Sequence, residues 1–374
     1  MFPKLRFKEF DGDLTESKLV ELTSWASGGT PAKDVPEYWG DGIPLISGAS
    51  MHTNQLYESD VKITKLGLQK GSKLALKDSI LILVRGSMLF NKIPMGITLG
   101  DVAFNQDVKC IRPKQQLAPL FLFQWLHAKE NTIQNKVTAT GIGAGKLDTA
   151  DLQNLKLYKP SLEEQTKIAT FLSAVDEKIS QLTQKHQLLR EYKQGMMQKL
   201  FSQQVRFKAD DKSEFGEWEE KELKDIAEIN PKSKKLPESF IYIDLESVEK
   251  GQLLLQKNIE LQDAPSRAQR LLAKGDVLFQ MVRPYQQNNY YFNLSGEYVA
   301  STGYAQIRTK LDSKFIYYAL HEKTFLDEVM NRCTGTSYPA INSSDLSSIE
   351  ILIPCLEEQT KIANFLSAID QKIE

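Results

Sequence analysis

Two stretches of this 374-residue chain have residue types and spacing that could do chemistry. The first is Thr140 to Leu147, T-G-I-G-A-G-K-L, with the glycine density and the lysine of a loop that wraps phosphate in backbone N–H groups. A nucleotide loop of that kind needs Gly where Thr140 stands and Ser or Thr where Leu147 stands. A dinucleotide loop needs a strand before its glycines and a helix after them, whereas here a helical pattern precedes. Two readings remain, a flexible loop that contacts a partner's backbone or a plain turn. The second stretch is Tyr285 to Tyr291, Y-Q-Q-N-N-Y-Y, where amides alternate with aromatic rings. Asn and Gln match the donor and acceptor edge of adenine, and aromatic rings stack on bases, so this run could read nucleic acid. An ordinary polar hairpin is the alternative.

Catalytic chemistry finds no footing. No metal-ligand pairing, nucleophile elbow or Ser/His/Asp arrangement occurs. Cys110, Cys333 and Cys355 are too few and scattered for a disulfide framework or zinc site, and predict buried thiols. The amino-methyltransferase signature, Asn or Asp followed by Pro-Pro and an aromatic, is missing, with R-P-Y at Arg283 to Tyr285 the nearest approach. These residues predict a binding protein without a catalytic centre, metal or cofactor of its own.

Composition bounds the partners. Hydrophobic residues at 41% and charged residues at 25% are ordinary for a soluble protein, and the length allows two domains or more. The N-terminus, M-F-P-K-L-R-F-K-E-F, carries charges where a signal peptide needs an apolar run, and no 18-residue apolar stretch occurs, so a cytoplasmic location is expected. Net charge is -1, from 47 basic and 48 acidic residues. A nucleic-acid partner therefore requires basic residues gathered on one face.

The elements that must position these residues are set by a duplication. Pro160 to Ile179 lies over Pro354 to Ile373 at an offset of 194, with 16 of 20 positions identical. Upstream, Phe121 to His127 lies over Phe315 to His321 at the same offset, Asp78 to Arg85 over Asp276 to Arg283 at 198, and Gly12 and Leu22 over Gly216 and Ile226 at 204. The chain is two copies of one unit, each a globular domain followed by a helix. The shrinking offset puts extra residues of the first copy in its loops. Loops that differ on a kept scaffold are where specificity resides, unless they have drifted without consequence.

Within each unit, Ile43 to Ile46, Ile80 to Val84, Val102 to Asn105, Ile241 to Leu245, Val277 to Val282 and Tyr298 to Ala300 read as short strands. Pro119 to Glu130 and Ser313 to Val329 read as helices whose aromatic faces pack on the sheet. The class is α+β. The first repeated helix, Pro160 to Leu200, has a heptad seam of Ile168, Leu172, Val175, Ile179, Leu182, Leu189, Met196 and Leu200, interrupted by His186 and Lys193. The second keeps it with Ile362, Leu366, Ile369 and Ile373, and the two seams are expected to pack on each other. His186 and Lys193 either fix register or mark a frayed part of the seam.

Two diverged domains, each closed by P-x-L-E-E-Q-x-K-I-A-x-F-L-S-x-x-D-x-K-I and a heptad helix, resemble the DNA specificity (S) subunit of type I restriction-modification enzymes. The resemblance spans nearly the whole chain and includes Phe104 to Asp107 and Ser301 to Tyr304. It implies two α/β target recognition domains, residues 1–158 and 204–352, spaced by helices 159–203 and 353–374 that form an antiparallel coiled coil. It further implies a subunit without catalysis that binds a bipartite site on double-stranded DNA. That subunit would dock two methyltransferase subunits and the restriction subunits, and S-adenosylmethionine, ATP and Mg would belong to those partners.

Candidate DNA contacts are polar or basic residues in or beside the differing loops: Ser47, Arg85, Asn91, Lys92 and Lys146 in the first domain, and Arg267, Arg270, Arg283, Gln286, Gln287, Asn288, Asn289 and Tyr338 in the second. Arg85 and Arg283 occupy equivalent positions, which favours a shared phosphate or structural role over base reading. The second helix ends at Glu374 after about half the length of the first, which departs from the family pattern. Leu189 to Leu200 are therefore expected to lack a partner within the chain: either the sequence is a shortened form, or the exposed seam binds another subunit or a second copy. A scaffold with two protein-binding domains on a rod, free of DNA, is the rival reading. An intrinsic methyltransferase or nuclease has no motif behind it.

Overall fold

In the computed structural model, which describes residues 5–141, 143–233 and 235–373, the apolar run after Asp78 becomes β1 (Ile80–Leu83), with all four side chains buried. It lies in the middle of a five-stranded sheet, in the order Thr23–Ser27, Val108–Pro113, β1, Met95–Thr98, Gln55–Leu56. Just after it, β2 (Arg85–Gly86) leaves that sheet. α1 (Pro119–Ala128) starts on a proline, whose missing N–H costs nothing in a first turn, and sinks Phe121, Leu122, Phe123 and Leu126 into the core beside the sheet. β3 (Gly145–Lys146) pairs with β2 and with Thr138–Ala139 in a small ribbon. A four-stranded sheet, Lys62–Ile63, Trp39–Ile46, Val102–Phe104, Lys73–Ala75, completes the layers.

The chain divides into two units, 1–181 and 182–374, with the division inside α2 (Leu162–Phe201). The second unit repeats the plan. Its β4 (Val277–Gln280), also buried throughout, lies in the sheet Ala227–Ile229, Tyr304–Thr309, β4, Tyr290–Tyr291. Beside it is a sheet of Lys257–Glu260, Ser239–Ile243, Tyr298–Ser301 and Ala268–Leu271. All six expected strands are present. The helix expected over Ser313 to Val329 is instead two pieces, α3 (Ser313–Ala319) and a second helix, Lys323–Asn331. The break falls at Glu322, whose carboxylate accepts from the N–H groups of Thr324 and Phe325 and so caps a new start. α4 (Leu356–Ile373) closes the unit. Among the described residues, no helix is long and apolar enough to cross a membrane.

The repeated Glu-Glu-Gln is a joint between helix and domain. Glu164, 2% exposed, receives two hydrogen bonds from Arg6, Nε to Oε1 and Nη2 to Oε2, both 2.7 Å. Glu358, fully buried, receives the same pair from Arg206 at 3.0 and 2.7 Å, and a third from the Trp218 indole at 3.1 Å. Such a bidentate pairing satisfies a carboxylate that burial alone would penalise heavily. The glutamine that follows seals the other side. Gln165 accepts from the Ala118 N–H and donates to the carbonyls of Gln116 and Pro160, while Gln359 accepts from the Asp312 N–H and donates to Pro354. Each helix is thus fixed at the start of its own aromatic helix. Further along, Gln124 binds Asp176 at 2.8 Å and Tyr318 binds Asp370 at 2.6 Å, again equivalent pairs.

The seam residues divide between packed and exposed settings. Ile168 packs with Ala169 against the first core, and Ile362 packs with Ala363, Leu366 and Ile369 into the second, so these positions seat each helix on its own domain. In the second unit the end of α2 runs antiparallel to α4: Lys193 pairs with Asp370 at 2.6 Å, Arg206 with Glu358, and Met196 and Leu200 join the same core. The stretch from Leu189 to Leu200, expected to lack a partner, therefore has one in its own unit. Val175, Ile179 and Leu182 stand in solvent instead, at 40%, 57% and 51% exposure, and Leu172 is half-buried. Lys193 has an ion-pair role, and Ile373 is partly buried against the core. Glu374, where the chain was expected to stop short, lies outside the described residues.

Candidate nucleic-acid interface

In the first unit, β1 delivers the chain to one end of the sheet, where the ribbon gathers four of the five predicted residues. Arg85 of β2 lies directly opposite Lys146 of β3, and Gly86 opposite Gly145. Gly86 has φ 147° and Gly145 is hemmed in: a Cβ there would lie 2.9 Å from Leu89 and 3.0 Å from the Gly86 carbonyl. The glycines of T-G-I-G-A-G-K-L thus allow a tight hairpin, closed by Thr140 N–H to Ala144 O at 2.8 Å, and not a phosphate loop. Ile142 lies outside the described residues.

Asn91 and Lys92 follow the short helical turn Ser87–Phe90, which Gln134 holds by donating to the Phe90 carbonyl at 3.1 Å. All four side chains are exposed, and among the described residues no acid pairs with Arg85, Lys92 or Lys146. Like charges opposite each other across paired strands repel, and an anion between them would relieve this. Ser47 precedes the turn Gly48–Ser50, and a Cβ on Gly48 would touch Leu83 at 3.2 Å, so this turn rests against the end of β1.

In the second unit the equivalent of Arg85 is built otherwise. Arg283 follows β4 in a left-handed conformation, φ 54° and ψ 53°, unusual for a residue with a Cβ. Its N–H donates to the Pro339 carbonyl at 2.7 Å, and Val282 bridges Ala340. Its guanidinium lies 4.3 Å from the ring centre of Tyr338. Two predicted residues 55 positions apart are thus brought into stacking contact, in the place that the glycine hairpin holds in the first unit.

The amide run reads differently in three dimensions. Asn289 is 1% exposed; its Oδ1 accepts from the Gln280 N–H at 2.8 Å and its Nδ2 lies 3.4 Å from His321 Nε2. Gln286 accepts from Gln280 Nε2, Asn288 accepts from the Lys250 N–H, and Gln287, left-handed at φ 52°, donates to the His321 carbonyl. The expectation that Asn289 faces a base is corrected, since it is buried; Gln287 and Asn288 are half-buried, Gln286 is exposed, and all four hydrogen-bond within or beside the turn that carries Arg283. Buried Gln280 binds the Val282 carbonyl and the Asn288 N–H from inside it. His321, its Nδ1 2.7 Å from the Tyr317 carbonyl, closes the network, and burial pushes its pKa down to about 4. The sequence pointed to neither Gln280 nor His321 as a support, because the amides that His321 meets lie 32 and 34 residues away.

Arg267 and Arg270 sit on or beside strand Ala268–Leu271, on the other sheet. Arg267 is exposed. Arg270 is half-buried, its Nε buried without a partner among the described residues, and burial lowers its pKa. An open groove of about 700 Å³, lined by Trp39, Asp41, His52, Glu58 and Asp60 among others, lies in the longer loops of the first unit. It was not legible in the sequence, since Asp41 is on the strand Trp39–Ile46 while Glu58 and Asp60 lie in the connection before Lys62–Ile63.

The duplicated domains with unlike loops correspond to a known class. Over residues 12–190 and again over 216–374 the chain matches the type I restriction modification DNA specificity domain, and it belongs to that family, with two copies of the domain. It is 27% identical to the type I restriction enzyme MjaVIII specificity subunit of Methanocaldococcus jannaschii, over 98% of this chain and 90% of that protein. It is 28% identical to the putative type I restriction enzyme MjaX specificity subunit of the same organism, over 100% of this chain and 90% of the relative. Among solved structures, the S subunit of a type I restriction-modification system from M. genitalium shares the fold, with a TM-score of 0.64 at 18% identity over 100% of this chain and 93% of that one.

Proposed function

We propose that this chain is the non-catalytic specificity subunit of a type I restriction-modification complex acting in the cytoplasm. Its recognition domains, residues 1–158 and 204–352, each read one half of a bipartite site on double-stranded DNA. Its helices, residues 159–203 and 353–374, fix the half-site spacing and dock methyltransferase and restriction subunits, on which S-adenosylmethionine, ATP and Mg are used. The observation that carries this reading is the repeated joint. Arg6–Glu164 and Arg206–Glu358 each tie a domain to the start of its own helix, and α2 is a helix of 40 residues, about 60 Å long. A reader fixed to a rigid rod turns rod length into half-site spacing.

The test is methylation mapping by single-molecule sequencing of DNA from cells that carry the chain with its methyltransferase subunit. The expected result is a two-part motif with a methylated adenine in each half, absent when the chain is omitted. Methylation that persists without the chain, or salt-insensitive binding to protein alone, overturns the reading in favour of a protein scaffold.

A further inference from the structure

Resting on that half-site reading, we propose that Arg283 reads a guanine in the half-site bound by the second domain, with Tyr338 holding the flat face of its guanidinium. Three observations carry this. First, among the described residues no carboxylate or hydrogen-bond acceptor engages the Arg283 guanidinium, whereas Arg206, Arg308 and Arg332 of the same unit are each paired with an acid. A guanidinium stacked on a ring, here 4.3 Å away, keeps its in-plane N–H edge available, and two parallel N–H groups match guanine O6 and N7.

Second, the residue is held in a costly backbone state. A left-handed arginine persists only where its surroundings enforce it, here the Pro339 carbonyl on one side and the buried Gln280 and Asn289 network on the other. Tyr338, 63% exposed, is presented by a turn at Gly335 with φ 91°, where a Cβ would press on the Tyr338 carbonyl at 3.1 Å. Orienting one side chain so firmly is unnecessary for a phosphate contact, which any nearby cation makes, and is what base reading requires.

Third, the equivalent place in the first unit has the other design. Arg85 stands exposed beside Lys146 on extended strands, with no ring over its guanidinium among the described residues, as suits phosphate. The equivalence of Arg85 and Arg283 in sequence therefore hides two roles.

The experiment selects from a pool of randomised 40-base-pair duplexes with the full chain co-expressed with its methyltransferase subunit, comparing wild type with Arg283→Lys, Tyr338→Phe and Tyr338→Ala. Wild type is expected to enrich a G at one fixed position of the second half-site. Arg283→Lys, which keeps the charge, relaxes that position by about tenfold or more and leaves every other position unchanged. Tyr338→Ala relaxes the same position and Tyr338→Phe preserves it. An affinity loss by Arg283→Lys spread evenly over all sequences, or no change at all, overturns the assignment while leaving half-site reading intact. Failure of wild type to enrich any motif overturns the half-site reading itself, and this assignment with it.

Discussion

Arg206 grips Glu358 with two parallel hydrogen bonds, Nε to Oε1 at 3.0 Å and Nη2 to Oε2 at 2.7 Å, and Arg6 grips Glu164 in the same way on the other side of the duplication. Around each pair the setting is also repeated: Phe7 meets Phe171 edge-on at 5.9 Å and Phe207 meets Phe365 at 5.6 Å, while Lys167 pairs with Glu9 and Lys361 with Asp210. The joint is a structural unit, duplicated whole with the domain it supports.

Removing one partner should therefore weaken the docking of the helix. Arg206→Ala leaves a fully buried carboxylate with one indole N–H for company, and the expected cost is about 2 kcal/mol after allowance for solvent near the guanidinium. Hydrogen exchange of the α4 segment 356–373 reads it directly. Protection equal to wild type would show that the pair does not hold the helix.

Burial keeps His321 neutral, its pKa down at about 4 from an ordinary 6.5. Between those values the unfolded chain binds a proton that the folded unit refuses. Stability of the second unit is whole above pH 6.5 and falls by about 3 kcal/mol as pH drops toward 4. His321→Asn, which keeps a donor for the Tyr317 carbonyl, should flatten this part of the pH profile in urea unfolding. An unchanged acid slope in the variant would assign the sensitivity to other groups.

Arg85 and Lys146 face each other without an acid between them. If both touch phosphate, Arg85→Ala and Lys146→Ala each make the dependence of log affinity on log salt shallower by about one, with base preferences unaltered. A changed base preference in either variant would contradict the phosphate assignment.

Ile179 and Leu182 are more than half exposed, so replacing both with Asp should shift the stability of either unit by no more than about 0.5 kcal/mol. If these residues are covered in the assembled complex, the same variant loses recognition of the two-part site while each unit still unfolds as before. Full recognition by the variant would show that this face of the helix stays bare.

Inserting seven residues into that exposed stretch lengthens α2 by about 10 Å, or about three base pairs of DNA. Methylation mapping should show both half-sites kept and the gap between them widened by that amount. A gap of unchanged length would mean that the helix does not set it.

Much of this protein is determined by sequence alone because a duplication is its own control. Sixteen identities in twenty residues mark the repeated helices, and the apolar runs at Ile80 and Val277 are buried on both faces, so they are strands wherever they sit. The second copy of the joint was also legible, since Arg6-Phe7-Lys8 recurs as Arg206-Phe207-Lys208 at an offset of 200, though pattern alone does not say that the arginine seeks a glutamate 152 residues on. Heptad spacing was ambiguous for a physical reason: apolar residues three and four apart line one face of a helix, whether that face meets a second helix or its own domain. Only packing decided that Ile168 and Ile362 seat their helices on their domains while Ile179 stays in water. The amide run was misleading because hydrogen-bonding groups look alike on the page, whether they face solvent or each other. Tertiary structure buried Asn289 against the Gln280 N–H, tied the exposed Gln286 to Gln280, and left Tyr338 in solvent beside the half-buried Arg283.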